Sequence, residues 1–483
     1  MSATRSGNAS GDHVIKHRGI KPLVVLDYVV AVAAWMIFWA YRIVLLGKAT
    51  FLTAWSFLLP RDLVYGFLLL PMGWMFLYLL SGTYFDVYRK SRLYEINRTL
   101  ISSIIGCVIV SLFVFADDAK DYSWFISMTG RYLLIHTAWV LTARLLLFNY
   151  NKRRLSEGKV GFNTMIIGGN ENAIGIYQQI RSSPVPLGNI FKGFIYSNKE
   201  ASNGMSHYLP KLGTLDELEH IIDVQQVEEV IIAVDSSEHH LLETILTRLS
   251  YRPVYVKVLA DTYDIISGTV KTSNVYDIGL IHIDPSLMPD WQRVCKRTLD
   301  IVSSFTAMLI LLPVYIFAAI KVKLSSAGPV FYRQERIGLW GQPFYIYKFR
   351  SMFVDAEKNG PALSSDEDPR ITRWGKIMRK WRIDELPQFY NILRGDMSLV
   401  GPRPERRYFI DIISETRPNY KYLHKVKPGL TSWGMVKYGY AENVAEMIQR
   451  MKYDLLYIEN CSLGLDLKIM AYTLIVLFQG RGK

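Results

Sequence analysis

Between Arg379 and Glu405 the chain reads RKWRIDELPQFYNILRGDMSLVGPRPE, and at its centre stand two adjacent carboxylates, Asp384 and Glu385. Cations crowd around them. Arg379 and Arg382 come just before, Arg403 lies between two prolines, Lys348 and Arg350 belong to YKFRSM, and Arg370 and Arg373 to DPRITRWG. Arginine forks match phosphate oxygens, so such a set suits a diphosphate. A carboxylate approaching that anion meets repulsion of about 4 kcal/mol per pair of unit charges about 4 Å apart, at an effective dielectric near 20. Arginines and a bound Mg²⁺ are the natural counterweights. Taken singly, each piece has a plainer reading: an Asp-Glu pair ahead of a helix is most often an N-cap. Their coincidence in one short region tied to a membrane favours a site.

The membrane tie comes from the first third of the 483 residues. Four apolar runs, Leu23–Leu46, Leu63–Leu80, Leu100–Phe115 and Tyr132–Tyr150, are each about long enough to cross a hydrocarbon core of about 30 Å. Lys16, Arg18 and Lys21 precede the first, Arg89, Lys90, Arg92 and Arg98 separate the second and third, and Lys152–Arg154 follow the fourth. The other two connections, with Lys48, Arg61 and Asp62 and then Asp117, Asp118, Lys120, Asp121 and Arg131, are less basic. This bias predicts a cytoplasmic N-terminus, middle loop and remainder. It accounts for much of the net charge of +13 and argues against nucleic-acid binding, which would need a basic stripe on a soluble domain. Cys107, Cys295 and Cys461 show neither metal spacing nor pairing.

After Arg154 the pattern alternates. Strands are expected at Thr164–Gly168, Gly193–Ser197, Glu229–Val234 and Val254–Ala260, with helices at Ala173–Arg181, Leu215–Asp223 and His239–Leu249. That succession predicts a Rossmann-like parallel sheet. The turn Gly168–Ala173 imitates a dinucleotide fingerprint incompletely, and Glu171 would oppose a pyrophosphate there. A scaffolding or regulatory role without a bound cofactor is the expectation. Thr262–Pro289 has no clear period and reads as a linker.

A fifth apolar run, Leu299–Val322, carries Lys296 and Arg297 ahead of it and Lys321 and Lys323 at its end. Both ends therefore bear the cytoplasmic mark, and Pro313 in mid-run kinks the helix. A broken helix that enters the inner leaflet and returns is expected. Asp300 could pair with Arg297 across one helical turn.

KRTLD (Lys296–Asp300), RQERIG (Arg333–Gly338), YKFRSM (Tyr347–Met352), DPRIT (Asp368–Thr372), RIDELPQFYN (Arg382–Asn391), GDMSLVGPRPE (Gly395–Glu405), KPGLTSWG (Lys427–Gly434) and YDLLYIENCSLGLDLKI (Tyr453–Ile469) occur in that order. Together with the broken run they resemble the large monotopic phosphoglycosyl transferases, the bacterial sugar transferases that act on undecaprenyl phosphate. The resemblance implies a membrane protein of mixed α and α/β class. It would have a cytoplasmic tail (1–20), four transmembrane helices (21–154), a Rossmann-like α/β domain (155–262), a linker (263–290) and an α/β catalytic domain (291–483) with a re-entrant helix at 299–322. It implies transfer of a hexose 1-phosphate from a UDP-sugar to undecaprenyl phosphate, with release of UMP, at the bacterial inner membrane. Asp384 matches the family's nucleophile and Glu385 its partner, both as Mg²⁺ ligands. Arg379 and Arg403, with Lys348 and Arg350, match substrate-binding positions, and Lys296, Arg297, Asp300 and Pro313 the membrane and acceptor side. The oligomeric state stays open, a homodimer included.

Two other classes compete. A membrane-bound nucleotide-sugar epimerase or dehydratase would use the Rossmann-like half, which lacks the full glycine fingerprint and a clear Tyr-x-x-x-Lys pair. A non-enzymatic scaffold for polysaccharide assembly would need only the bundle.

Overall fold

A computed structural model of the chain describes residues 19–45, 47, 50, 53, 64–115, 121–183, 187–196, 203–234, 239–250, 252–259, 280–283, 287–356, 368–439, 441 and 443–478. The tail expected at 1–20 falls almost wholly outside these residues, as do Lys16, Arg18, Lys48, Arg61, Asp62, Asp117, Asp118 and Lys120.

The apolar runs form α1 (Ile20–Leu45), α2 (Tyr65–Leu80), α3 (Arg92–Val114) and α4 (Tyr122–Ser156). Of these, α1, α3 and α4 are long and apolar enough to cross a membrane, whereas α2, as described, is shorter. It opens with a π turn at Tyr65–Leu69, next to Pro71, which has no N–H to continue the regular ladder. Both α3 and α4 begin well before their apolar runs because of capping. Ser91 accepts from the Tyr94 N–H, and Asp121 accepts from the Trp124 N–H at 2.6 Å. Trp35, Phe38, Trp74, Tyr78 and Tyr132 fill the space between the helices. A polar seam runs through the same interior. Arg144 donates twice to Asp27 (2.9 and 2.8 Å) and once to Thr99 (3.0 Å), stands 3.7 Å from Glu95, and lies 4.0 Å over the Tyr78 ring. Charges this far inside an apolar bundle persist only when paired.

The α/β unit comprises β1 (Phe162–Ile167), α5 (Glu171–Ser182), β2 (Asn189–Tyr196), β3 (Lys211–Thr214), α6 (Leu218–Gln225), β4 (Glu229–Ile232), α7 (His239–Leu249), β5 (Tyr255–Leu259) and β6 (Leu280–Ile283). Its sheet has the order β3-β2-β1-β4-β5-β6, parallel except for the antiparallel β6. The central strands β1 and β4 are covered on both faces, so they read as continuous apolar runs. Two strands differ from expectation. β3 is short and contains Gly213, and β6 lies inside the segment read as a linker, whose residues 263–279 are outside the description. Gly168 has φ +138°, and a Cβ there would stand 2.4 Å from the Ala233 carbonyl oxygen. Close strand packing thus explains that glycine, and Asn170 caps α5 through the Ala173 N–H at 3.0 Å.

The short connection between α2 and α3 touches both other parts. Arg89 pairs with Glu229 at 2.5 Å and lies over the Phe162 and Tyr255 rings, while the Tyr255 hydroxyl donates to Asp86 at 2.7 Å. Arg293 pairs with Asp290 at 2.5 Å, sits over the Phe85 ring, and Arg98 approaches the same carboxylate at 3.9 Å.

The last part begins with α8 (Asp290–Ile310) and α9 (Leu312–Ser325), bent by 63° at their junction. Pro313 lies in the first turn of α9, where its missing N–H costs nothing, so the break falls at Leu311. There follow the hairpin β7 (Phe331–Ile337) and β8 (Pro343–Phe349), α10 (Arg373–Lys380), α11 (Gln388–Arg394), β9 (Ser398–Val400), α12 (Arg407–Thr416), β10 (Gly429–Thr431), α13 (Trp433–Lys437), α14 (Val444–Glu459) and α15 (Leu463–Phe478). The last helix is apolar after its first two turns, which carry Asp466 and Lys468, and Leu467, Leu474 and Ile475 are exposed.

Candidate active site

The acidic pair sits on a single 3₁₀ turn, Ile383–Glu385, wedged between α10 and α11. Arg382 enters it in the left-handed region (φ 57°, ψ 22°), a conformation costly for a side chain with a Cβ, and Pro387 closes it as the N-cap of α11. That reversal buries both carboxylates. Their surroundings differ sharply. Glu385 Oε1 takes the Lys348 ammonium at 2.8 Å, with Arg403 at 3.5 Å and Arg382 at 3.8 Å. Asp384 Oδ1 is buried and accepts no hydrogen bond among the described residues.

Electrostatics follows from this asymmetry. Burial pushes Asp384 above the usual carboxylate range and the Glu385 charge adds to it, against Lys348, Arg382 and Arg379. Burial acts on Glu385 too, but Lys348, Arg382 and Arg403 together outweigh it and hold that carboxyl well below its ordinary value. The two adjacent acids are therefore pushed in opposite directions, Glu385 toward its anion and Asp384 toward its neutral form.

Around the pair, Lys348 is set by β8 and Arg403 by the Pro402–Pro404 corner. Arg379 reaches the Ser351 hydroxyl through Nε at 3.0 Å. Arg403 also approaches Glu405, which is buried between Arg450 (2.7 Å) and Arg336 (3.0 Å). Behind it a small cavity is lined by Gly338, Tyr420, His424 and Pro428, where burial pushes His424 down to about 4.

Several expected site residues face elsewhere. Arg350 is buried with its fork on the Ser326 and Ala327 carbonyls (2.7 Å each), so it fastens the end of α9 and does not join the cluster. Gly328 makes room for it: a Cβ there would lie 1.8 Å from Arg350 Nη1. Arg370 forks onto Asp368. The pairing of Arg297 with Asp300 does not form. Arg297 donates to the Ile392 and Leu393 carbonyls at the end of α11 (2.6 and 2.9 Å), and Asp300 accepts from the Leu399 N–H at 3.0 Å. Lys296 bonds Asp466 (2.5 Å) and the Val400 carbonyl (2.9 Å). These three side chains clamp α8 to the domain; no lipid-facing role is needed to explain them. Pro313 is exposed at the bend.

Reading the sequence for charges missed Asn391. It is fully buried, accepting from the Tyr347 N–H at 3.0 Å and donating to the Tyr345 carbonyl at 2.7 Å, and so binds α11 to the strand carrying Lys348. The signal was a neutral amide between the aromatic pair Phe389-Tyr390 and the apolar pair Ile392-Leu393.

For Mg²⁺, Asp384 supplies an unpartnered oxygen and Glu385 an adjacent charge. No group of three or more His, Cys, Asp or Glu that could hold a metal occurs among the described residues. The pair fits an ion that takes its remaining ligands from phosphate and water, the usual habit of Mg²⁺.

The family model described as bacterial sugar transferase matches residues 291–480, and one described as CoA-binding domain matches 81–260. The chain is 43% identical over 180 residues to a UDP-glucose:undecaprenyl-phosphate glucose-1-phosphate transferase of Caulobacter vibrioides, covering 37% of this chain and 67% of that protein. It is 40% identical to a UDP-N-acetylgalactosamine-undecaprenyl-phosphate N-acetylgalactosaminephosphotransferase of Aeromonas hydrophila, over 48% of this chain and 54% of the relative. A similar match, 36% identical over 55% of this chain and 56% of the relative, is to a UDP-glucose:undecaprenyl-phosphate glucose-1-phosphate transferase of Xanthomonas campestris pv. campestris. The chain thus spans little more than half the length of these last two. It belongs to the bacterial sugar transferase family.

Proposed function

We propose that this protein transfers a hexose 1-phosphate from a UDP-sugar to undecaprenyl phosphate, with UMP as the other product. The observation that carries the reading is the buried, unpartnered Asp384 oxygen beside a glutamate neutralised by Lys348, Arg382 and Arg403. Asp384 attacks the sugar-bearing phosphorus, the bond from that phosphorus to the bridging oxygen breaks, and UMP leaves with the electron pair. An oxygen of undecaprenyl phosphate then attacks the same phosphorus and displaces the Asp384 carboxylate, which restores the enzyme and a diphosphate linkage. Glu385 holds Lys348 and Arg403 in place, and these with Arg379 offset the charge gathering on the transferred phosphate. Mg²⁺ bound at Asp384 and Glu385 supplies further charge neutralisation.

The same reading draws the membrane in. The 63° bend between α8 and α9 fits a re-entrant passage that begins and ends on the cytoplasmic face of the inner membrane. The four N-terminal helices then form a multi-pass anchor over 21–154, the α/β domain spans 155–262, and the catalytic part starts at 291. This places Asp384 where a soluble nucleotide sugar and a lipid phosphate can both reach it.

The test is UMP release by the full chain in lipid discs, given undecaprenyl phosphate and UDP-glucose, UDP-galactose or UDP-N-acetylgalactosamine in turn. Asp384→Asn should abolish it, and a phosphosugar adduct trapped on the parent should map to Asp384. An adduct on another residue, or no UMP from any donor, refutes the reading.

A further inference from the structure

Tyr315 lies one turn beyond the break, its N–H donating to the Leu311 carbonyl at 3.0 Å. Its side chain leaves the apolar run altogether: the hydroxyl donates at 2.6 Å to the carbonyl of Leu386, the first residue after the acidic pair. The ring packs on Phe349, centroids 5.8 Å apart, and Phe349 directly follows Lys348. Ile383 and Leu386, the residues on either side of Asp384-Glu385, join Tyr315, Ala318 and Val322 in one cluster with Phe349 and Met378. The far end of α9 is secured separately by Arg350.

We propose that Tyr315 is a positioning residue, whose hydroxyl transmits the bend of the membrane helix to the turn that carries Asp384. This rests on the reading of Asp384 as nucleophile. Besides this bond, the turn is held on that side by the apolar packing of Ile383 and Leu386, which fixes no direction for its backbone. Arg382 is in a costly conformation, and among the described residues the Leu386 carbonyl otherwise accepts only the Phe389 N–H, at 3.1 Å. A phenol anchored by its ring in the α9 cluster moves when α9 moves. It therefore relates the angle at Leu311 to the place of the Asp384 oxygens. A misplacement of about 1 Å suffices to slow a reaction that depends on alignment.

Tyr315→Phe keeps the ring and removes only the donor. In full-length protein in lipid discs, kcat for UMP release should fall about tenfold with KM for the nucleotide sugar within about twofold, since a tether of this kind acts on alignment more than on binding. Hydrogen exchange read by mass spectrometry should quicken at 383–389 and stay unchanged over Asp290–Ile310. Pro313→Leu, which alters the bend, should also slow turnover, and adding Tyr315→Phe to it should cost little more, because the tether is already out of register. Unchanged exchange at 383–389 overturns the tether whether or not the parent is active. Faster exchange with an unchanged kcat, a rise in KM alone, or full additivity with Pro313→Leu overturns its positioning role. A parent with no UMP release from any donor refutes the phosphosugar reading, while the exchange result still decides the tether.

Discussion

Replacing Asn391 by leucine probes how the strand carrying Lys348 is held. The change is nearly isosteric, so it opens no large cavity, and Asn391 carries no charge to confuse the site. It removes two hydrogen bonds at once and strands the Tyr347 N–H and Tyr345 carbonyl, both on the edge of β8 away from its partner β7. A buried backbone group left without a partner costs about 1–3 kcal/mol, so the pair together should cost about 2–6 kcal/mol. For a unit of about 150–250 residues each kcal/mol lowers Tm by roughly 2–4 °C, which puts the expected drop between about 4 and 24 °C. Lys348 directly follows Tyr347 on the same strand and bonds Glu385 at 2.8 Å, so kcat should fall as well, by about tenfold or more. Asn391→Asp separates the two bonds: it keeps an acceptor for the Tyr347 N–H but turns a carboxylate toward the Tyr345 carbonyl, and should be at least as damaging. The assay is thermal unfolding in detergent followed by tryptophan fluorescence, with UMP release measured on the same preparations. A leucine variant with parental Tm and parental rate would refute the bridge.

The pH profile should carry the mark of Asp384. On the proposed mechanism its carboxylate is the attacking form, and its pKa is raised, first by burial and then by Glu385, so activity should be lost as pH falls through that value. Glu385→Gln removes a raising charge and should move this acid limb to lower pH, whereas Lys348→Gln removes a lowering one and should move it higher; shifts in one common direction would contradict the electrostatics. Arg403→Ala and Arg379→Ala should each reduce turnover by about 10²–10³, the usual loss on removing one preorganised donor, measured as UMP release at saturating donor. Chelation should abolish turnover and Mg²⁺ should restore it, with a fall in donor affinity by calorimetry on the Asp384→Asn protein showing whether the ion also serves binding.

What could be read from the residues alone divides along a physical line. Asp384, Glu385, Lys348 and Arg403 converge in the fold, and a cluster of charges around a proline-bounded acidic pair is a local pattern that needs no knowledge of distant chain. The bend near Pro313 was legible for the same reason, since the missing N–H is a property of the residue. Arg350, Lys296, Arg297 and Asp300 look like ligand-binding charges in sequence. Their partners are backbone carbonyls, an N–H, and Asp466, all far along the chain, which no charge pattern displays. Asp27 and Arg144 vanish into apolar runs, being 117 positions apart and meaningful only once α1 and α4 pack. The strand β6 was hidden because an edge strand of four residues has too short a period to stand out from a linker.

The connection between α2 and α3 has a consequence for how this chain could be recombined with its relatives. Arg89, Asp86 and Phe85 each engage a residue from a different stretch of sequence: Glu229, Tyr255 and Arg293. A chimera joined at the end of α4 would carry one half of each contact from one parent and the other half from another. Splice points therefore have to preserve Phe162, Glu229, Tyr255, Asp290 and Arg293 along with the loop, or exchange them as a set. Modularity in this architecture is limited by a handful of side chains on one short loop, and those, more than the peptide linkers, are the seams along which the protein can be cut and rejoined.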